Sequence, residues 1–508
     1  MNAYWPWAWV PIGVLTVLMV GRRWPAWKAG VVAYLSALLL ARYPFRLPWT
    51  GILVAHGKAF FLWLDILIII TGAYFFFQVV REAGVFKVMA SFLPRLTAYS
   101  EMQLLILGWA FTSFIQGTGG LGVPVAVVAP LLVGLGFDPM VAVVVSSVGH
   151  GWSVTFGSLG TPFRGLLAAT GMEAADFALQ AAWASAWLAL TTGFVVLVLY
   201  RGWQAVRRLW LATLIMGASM GLVLVFTVRM GLWPLGSMLS GMAGVVTGLV
   251  VAWWQRQGNG ERMSRRDWRR LGLALSGYAV LVLAILGMLV WPPARAWLGQ
   301  WVWQPHFPAT LTGLGFEVPA GPGRALRPLR HPGLPLFVAA GFSFLFYRRF
   351  YDDGALRRIA RTTGKQVLRV SVAVFFIVSM ALVMYHAGMT TVLAHTLASW
   401  SGPGYGVLAA WLGAFGGFLT GSNLNSNVLF GALQQQTAQA LDLSVAVILA
   451  AQAAGGAVGS VMAPTKVLVG ASTTGLYGRE GVLIRRMALA IGFLVAMLSL
   501  WTVGMLLV

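Results

Sequence analysis

Cysteine is absent from all 508 residues, which excludes disulfides and thiolate metal sites outright. Acid is scarce: Asp and Glu number 13, and charged residues of both signs make up only 9% of the chain. An ordinary soluble surface needs about a quarter of its residues charged, so a set of soluble domains is excluded. The six histidines are scattered, with no paired-His motif and no nucleophile beside a base, so an intramembrane enzyme lacks its chemistry. Residues 1–20 have no basic n-region and no small-residue cleavage pattern before Arg22 and Arg23. They read as a retained first span rather than a signal peptide.

What fills the chain is apolar: 59% of it is hydrophobic. A hydrocarbon core of about 30 Å needs roughly 20 apolar residues per crossing helix. Residues 177–200, 209–228, 231–255, 271–294 and 487–508 are runs of that size without Asp, Glu, Lys or Arg, and residues 370–441 carry no formal charge at all. An all-α, polytopic integral membrane protein follows, with about 11 to 13 spans on this counting.

The net charge of +22 does not point to nucleic acid, because the basic residues sit in short clusters between apolar runs. Clusters at Arg22/Arg23/Lys28, Arg81/Lys87/Arg95, Arg201/Arg207/Arg208, residues 256–270, residues 348–365 and Arg479/Arg485/Arg486 can share one side, and excess Lys and Arg mark it as cytoplasmic. The chief exception is the Pro-rich connection 291–331, with Arg295, Arg324, Arg327 and Arg330, which parity forces outside. Arg42 and Arg46 are a lesser one. Tryptophans at positions 5, 7, 9, 291, 297, 301 and 303 suit an interfacial belt.

Sliding the chain on itself by 304 residues places Gly117 on Gly421, Asp138 on Asp442 and Thr161 on Thr465 without a gap. Charge tests the repeat independently. The loop after residues 62–80 carries Arg81, Lys87 and Arg95, whereas its counterpart, residues 386–405, has no Lys or Arg. Equivalent loops therefore face opposite sides, giving an inverted-topology repeat. That architecture belongs to secondary transporters, with the substrate near the midplane where the copies meet. The expected divisions are residues 1–50 (N-terminal spans), 51–200 (first repeat), 201–330 (linking spans and outer loop) and 331–508 (second, inverted repeat).

Each copy is interrupted twice at matched positions. The stretch 117–124 separates two apolar arms too short to cross a bilayer, and the run Gly421-Ser422-Asn423-Leu424-Asn425-Ser426-Asn427 separates their counterparts. Both read as re-entrant hairpins. A second break, 149–162, matches 454–466. Non-helical backbone at membrane depth is tolerated only inside protein or beside an aqueous cavity. Free N–H groups at half-helix N-termini suit a carboxylate. Small residues also serve close helix packing, but three Asn and two Ser at 422–427 would each need a partner in hydrocarbon.

Three segments carry a resemblance: Phe114-Ile115-Gln116-Gly117-Thr118-Gly119-Gly120-Leu121-Gly122-Val123-Pro124-Val125-Ala126-Val127, then Leu131-Leu132-Val133-Gly134-Leu135-Gly136-Phe137, then residues 418–431 around Gly421-Ser422-Asn423. With them the chain resembles the L-lactate permease family, most densely over residues 60–200 and 366–490. The resemblance implies uptake of small 2-hydroxy monocarboxylates such as L-lactate and glycolate, generally with a proton, and an elevator type of alternating access. Where that family usually has acids, this chain has Gln116 and Asn423, so proton coupling through those two positions is excluded. His150, Arg164 and Lys466 stand in or beside the broken segments, where neutral residues are expected.

The expected substrate-binding residues are Gln116, Thr118, Gly119, Gly120, Ser422, Asn423, Asn425, Ser426, Asn427 and Thr465. Asp65, His150, Arg164 and Lys466 are the candidates for proton or charge coupling. Asp65 is the one acid inside an apolar run, open to a transport role or to a structural ion pair. His150 is open to titration or to completing a hydrogen-bond network. Arg164 and Lys466 are open to facing a carboxylate or snorkelling to an interface. Asp138 and Asp442 read as helix caps. No cofactor or metal is expected. The expected partners are the small carboxylate, the lipid bilayer and a second copy in a homodimer. Rival readings are a carrier for a more acidic or sulfonated anion, motivated by the added cations, sodium coupling, and a receptor or scaffold that moves no solute.

Overall fold

The computed structural model describes residues 4–22, 24–86, 88, 97, 99–120, 122–254, 264–289, 291–331 and 333–508, the side chains of Leu289 and Arg295 excepted. The sequence readings on Arg23, Lys87, Arg95, Leu121, residues 256–262 and the Arg295 side chain lie outside this set. In chain order, α1 (Trp5–Thr16) and α2 (Ala26–Arg42) precede the long α3 (Trp49–Glu82). Ser100–Leu104 and the π-wound Leu105–Phe111 run into α4 (Thr112–Thr118), followed by α5 (Val123–Gly134), α6 (Pro139–Gly149), α7 (Gly157–Thr170) and α8 (Ala174–Arg201). Next come α9 (Trp203–Arg229), α10 (Gly236–Trp254), α11 (Arg265–Leu289) and α12 (Pro292–Leu298). Four two-residue strands form the outer connection: β1 (His306–Phe307) pairs antiparallel with β4 (Gly321–Pro322), and β2 (Thr310–Leu311) with β3 (Glu317–Val318). The second half holds α13 (Gly333–Phe346), α14 (Ala355–His386), α15 (Met389–Ser401), α16 (Tyr405–Thr420), α17 (Asn423–Ala440), α18 (Val445–Ser460), α19 (Pro464–Thr473) and α20 (Glu480–Leu506).

Eight helices among the described residues are long and apolar enough to cross a membrane, fewer than the 11 to 13 that apolar runs suggest. Apolar helices shorter than a full crossing account for part of the difference: α1 with its π-wound extension to Gly21, α6 and α13.

The shift of 304 residues holds element by element. It carries α3, Trp49–Glu82, onto α14, Ala355–His386, and α8, Ala174–Arg201, onto α20, Glu480–Leu506. It also carries α2 onto α13. Helices α3 and α14 pack antiparallel: Trp63 Nε1 donates to the Ser371 carbonyl at 3.1 Å, Gln78 Nε2 to Gln366 Oε1 at 3.0 Å, and Arg358 Nε to Glu82 Oε1 at 2.7 Å. Those pairs are centred where each residue meets its own counterpart, so a two-fold axis perpendicular to both helices relates the copies. Contacts recur in symmetric pairs: α2 meets α14 at Tyr34 and Phe376, and α3 meets α13 at Gly72 and Leu336. Equivalent spanning helices thus point in opposite directions.

The hairpins enter from opposite ends as a consequence. At the base of the first, Arg201 Nη1 at the end of α8 donates to Glu101 Oε1 at 2.9 Å. At the base of the second, Ser499 Oγ near the end of α20 donates to the Val407 carbonyl at 2.9 Å. Helices α8 and α20 meet where Trp187 Nε1 donates to the Met497 carbonyl at 2.9 Å. Close approach of backbones holds each arm. A Cβ on Gly417 would collide with the Gly456 carbonyl, and one on Gly149 with the Gly108 carbonyl, so small residues serve packing here as they do in other membrane helices.

Because the chain has no cysteine, single-cysteine variants read its orientation directly. In intact cells an impermeant maleimide is expected to label Gln304→Cys and to spare Arg207→Cys until the membrane is permeabilised; the reverse pattern would contradict the assigned orientation.

Candidate functional site

Breaks from both copies converge on one place. In the first hairpin α4 stops at Thr118, Gly119 is extended (φ −128°, ψ 117°) and Gly122 is left-handed (φ 89°) before α5 begins. In the second, Gly421 is left-handed (φ 68°) and the Ser422 hydroxyl accepts from the Asn425 N–H at 3.4 Å, capping α17. Only Gly421 and Ser422 are unwound there. Asn423, Asn425, Ser426 and Asn427 lie in the first turns of α17, which corrects the longer non-helical run expected from the sequence. Asn has low helix propensity, but capping by Ser422 sets the start.

The second break is unequal between the copies. After α6 the chain makes a 3-10 turn at Gly151–Val154, and Ser158, Leu159 and Gly160 are left-handed (φ 49°, 52° and 72°). Left-handed Ser and Leu are strained, by about 1–3 kcal/mol each, and such strain tends to sit beside functional sites. In the second copy α18 runs unbroken through Ser460, and only residues 461–463 interrupt it before α19. The glycines at 455, 456 and 459 serve the contact with α16 instead.

These elements and α3 enclose a cavity of about 60 Å3. Gln116, Gly119 and Gly120 line it from the first hairpin, Ser422 and Asn423 from the second, Ser158 and Thr161 from the kinked start of α7, Lys466 from α19 and Tyr74 from α3. Ile70, Phe77, Val123 and Val370 supply apolar wall. Gln116 Oε1 and both amide atoms of Asn423 are buried without a hydrogen-bond partner among the described residues. Each such group costs about 1–3 kcal/mol unless something pairs with it. Lys466 is 5% exposed; its Nζ donates to Ser460 Oγ at 2.8 Å and makes no ion pair among the described residues. The cavity therefore offers one uncompensated cation and amide groups able to donate and accept.

The remaining expected residues fall elsewhere. Thr118 is buried and donates to the Ile115 carbonyl at 3.2 Å. Ser426 donates to the Gly413 carbonyl at 2.9 Å, and Asn427 Nδ2 to the Pro162 carbonyl at 2.9 Å, tying α17 to the kinked start of α7. Asn425 has an unpartnered Oδ1, and Thr465 is exposed beside Gly421. None of these five lines the cavity. His150 Nδ1 donates to the Ser146 carbonyl at 2.7 Å, leaving Nε2 buried without a partner. Asp138 caps α6, accepting from the N–H groups of Met140 and Val141 at 3.0 and 3.1 Å. Asp442 caps nothing: it sits exposed in a left-handed turn (φ 54°), and Ser444 precedes α18.

Asp65 and Arg164 form an ion pair with each other. Arg164 is bidentate on the fully buried carboxylate at 2.7 and 2.8 Å, with Arg324 Nε at 3.2 Å and His331 Nε2 at 3.1 Å on the same oxygens. His331 Nδ1 accepts from the Gly333 N–H at 3.1 Å, so its Nε2 carries the proton and donates to Asp65. Burial holds the His331 imidazole below its ordinary range, in keeping with a neutral ring. Sequence reasoning missed Ser158, Thr161 and Tyr74 as cavity residues. Ser158 and Thr161 stand in a break the sequence marks, while nothing in the apolar run around Tyr74 singles it out.

The profile of the L-lactate permease family matches residues 7–508. Curated relatives include the glycolate permease GlcA of Escherichia coli, 26% identical over 94% of this chain and 91% of that protein. The L-lactate permease of Bacillus subtilis is 25% identical over the same shares, and that of Escherichia coli 25% identical over 88% and 86%. Among solved structures, the YdaH transporter of Alcanivorax borkumensis superposes with a TM-score of 0.46 at 17% identity, covering 87% of this chain and 84% of that one. With the family profile matched along nearly its whole length and its helices built to cross a bilayer, the chain belongs to the L-lactate permease family, as a multi-pass protein of the bacterial plasma membrane.

Proposed function

We propose that the chain is a secondary transporter of small 2-hydroxy monocarboxylates, L-lactate or glycolate, moving by alternating access of the elevator type in symport with a proton. The observation that carries this reading is the cavity between the two hairpins, where one buried, unpaired lysine meets the orphaned amides of Gln116 and Asn423. A carboxylate against Lys466 neutralises the ammonium, and a 2-hydroxyl can both donate to and accept from the two amides. Names of relatives, L-lactate permease and glycolate permease, support the same substrate class.

Charge counting favours a monoanion over the dianionic rivals, a dicarboxylate or a sulfonated carboxylate. Arg164, the other cation that suggested them, is already committed to Asp65. A second negative charge in the cavity would be buried without a partner, at a cost of several kcal/mol. Gln116 and Asn423 cannot carry a coupling proton, and Asp65 is held as a carboxylate by two guanidinium groups. Lys466 and His150 remain as candidates, Lys466 lining the cavity without a counter-ion among the described residues and His150 with its Nε2 buried and unpartnered. We assign the proton to that pair.

In proteoliposomes, labelled lactate is expected to accumulate under an inward proton gradient and not under a sodium gradient, with glycolate competing and dicarboxylates or sulfonates failing to compete. Sodium-driven uptake would replace the proton assignment, and competition by dicarboxylates would replace the substrate class. Lys466→Met is expected to cut lactate uptake at least ~10-fold while the purified protein melts at or above the wild-type temperature, because an apolar side chain replaces a buried charge with no partner. Uptake that survives this change would remove Lys466 from the site.

A further inference from the structure

A second cavity, about 750 Å3, opens on the side of the outer connection. Its walls carry Lys58 from α3, Arg164 from α7, and Arg324, Arg327 and Arg330 from the connection, against one acid, Glu173. Arg324, Arg327 and Arg330 are among those that break the cytoplasmic bias of Lys and Arg, which calls for a local reason to keep positive charge outside. Arg327 lies exposed on the rim, and Lys58 Nζ stands 5.9 Å over the Phe307 ring, which roofs it from β1.

The two cavities are stacked along the same two helices. On α3, Lys58 and Leu62 face the outer vestibule, Asp65 comes next, and Ile70 and Tyr74 face the inner cavity. On α7, Thr161 and Pro162 face the inner cavity and Arg164 with the residues beyond it faces the vestibule. The floor between the two is thus the Asp65–Arg164 ion pair, with Arg324 laid on its outer side. Two guanidinium groups already grip one carboxylate there, Arg164 in the planar bidentate geometry that suits carboxylates in general and Arg324 through Nε alone.

We propose that this vestibule is a second anion site, which gathers a small organic carboxylate from outside at Arg324, Arg327 and Lys58 before it reaches the inner cavity. Cations in a walled recess raise the local concentration of an anion by focusing the field, an effect that falls as salt is added. Asp65 holds Arg164 bidentate on the floor, so an arriving anion meets Arg324, which touches Asp65 through Nε alone, together with Arg327 and Lys58. The direction of traffic rests on the transport reading; the anion site itself does not.

The test uses the full-length protein in right-side-out membrane vesicles, with Ala325→Cys, on the vestibule wall, as the only thiol. At low ionic strength a negatively charged methanethiosulfonate is expected to react at least ~10-fold faster than a positively charged one of similar size, the ratio falling toward one in high salt. Adding Arg327→Gln and Lys58→Gln to this background should lower the ratio several-fold, and Arg485→Gln, an exposed cation on the cytoplasmic side, should leave it unchanged. Millimolar lactate should slow the anionic reagent. Equal rates for the two reagents, or no slowing by lactate, would overturn the proposal. A failure of lactate uptake with the rate ratio intact would instead count against the transport reading and leave the anion site standing.

Discussion

A charge without a partner is the most expensive group a protein can hold at membrane depth, and this chain handles two such charges in opposite ways. Asp65 is compensated in full, by a bidentate Arg164, by Arg324 and by the proton on His331 Nε2. Lys466 is left with a serine hydroxyl and no counter-ion among the described residues. The first arrangement is a finished structural element. The second is an unfinished one, which the proposed monocarboxylate would complete.

The inverted pairing of the copies is what makes such a site possible. Antiparallel packing of α3 on α14 places the two-fold axis across the middle of both helices, so a break in one copy meets breaks in the other at the same depth. Each tip is short: Gly119, Gly120 and Gly122 among the described residues of the first hairpin, Gly421 and Ser422 in the second. Short unwinding leaves few backbone groups to satisfy, as burial inside protein demands. The copies are not identical, though. Only the first unwinds through Ser158–Gly160, so the cavity takes Ser158 and Thr161 from one copy and Ser422 and its lysine from the other.

Much of this was legible in the sequence. The repeat was visible as a shift of 304 residues because charge asymmetry between equivalent loops survives where identity has faded. The same shift extends further than sequence suggested, to α2 and α13, which share no charge signature. Glycine and proline marked three of the four breaks, since left-handed and extended backbone favour them. The fourth was misread: glycines at 455, 456 and 459 allow α18 to lie against α16 within an intact helix, and a glycine-rich string reads alike in both roles. Six of the fourteen candidate residues line the inner cavity, Gln116, Gly119, Gly120, Ser422, Asn423 and Lys466. Asn427 and Ser426 lie outside its lining and bond backbone carbonyls; a polar residue in hydrocarbon announces only that it has a partner, not whether that partner is a ligand or a backbone carbonyl. The Asp65 ion pair joins residues 99, 259 and 266 positions apart, a separation that no local pattern encodes.

The central claim is that Lys466, with Gln116 and Asn423, holds the substrate carboxylate between the two hairpin tips. A cryo-electron microscopy structure of the protein in lipid nanodiscs with saturating glycolate tests it most directly. The account predicts ligand density within hydrogen-bond distance of Lys466 Nζ and of at least one of the two amides. Glycolate bound elsewhere, with the cavity between the tips filled by side chains or water, would contradict it.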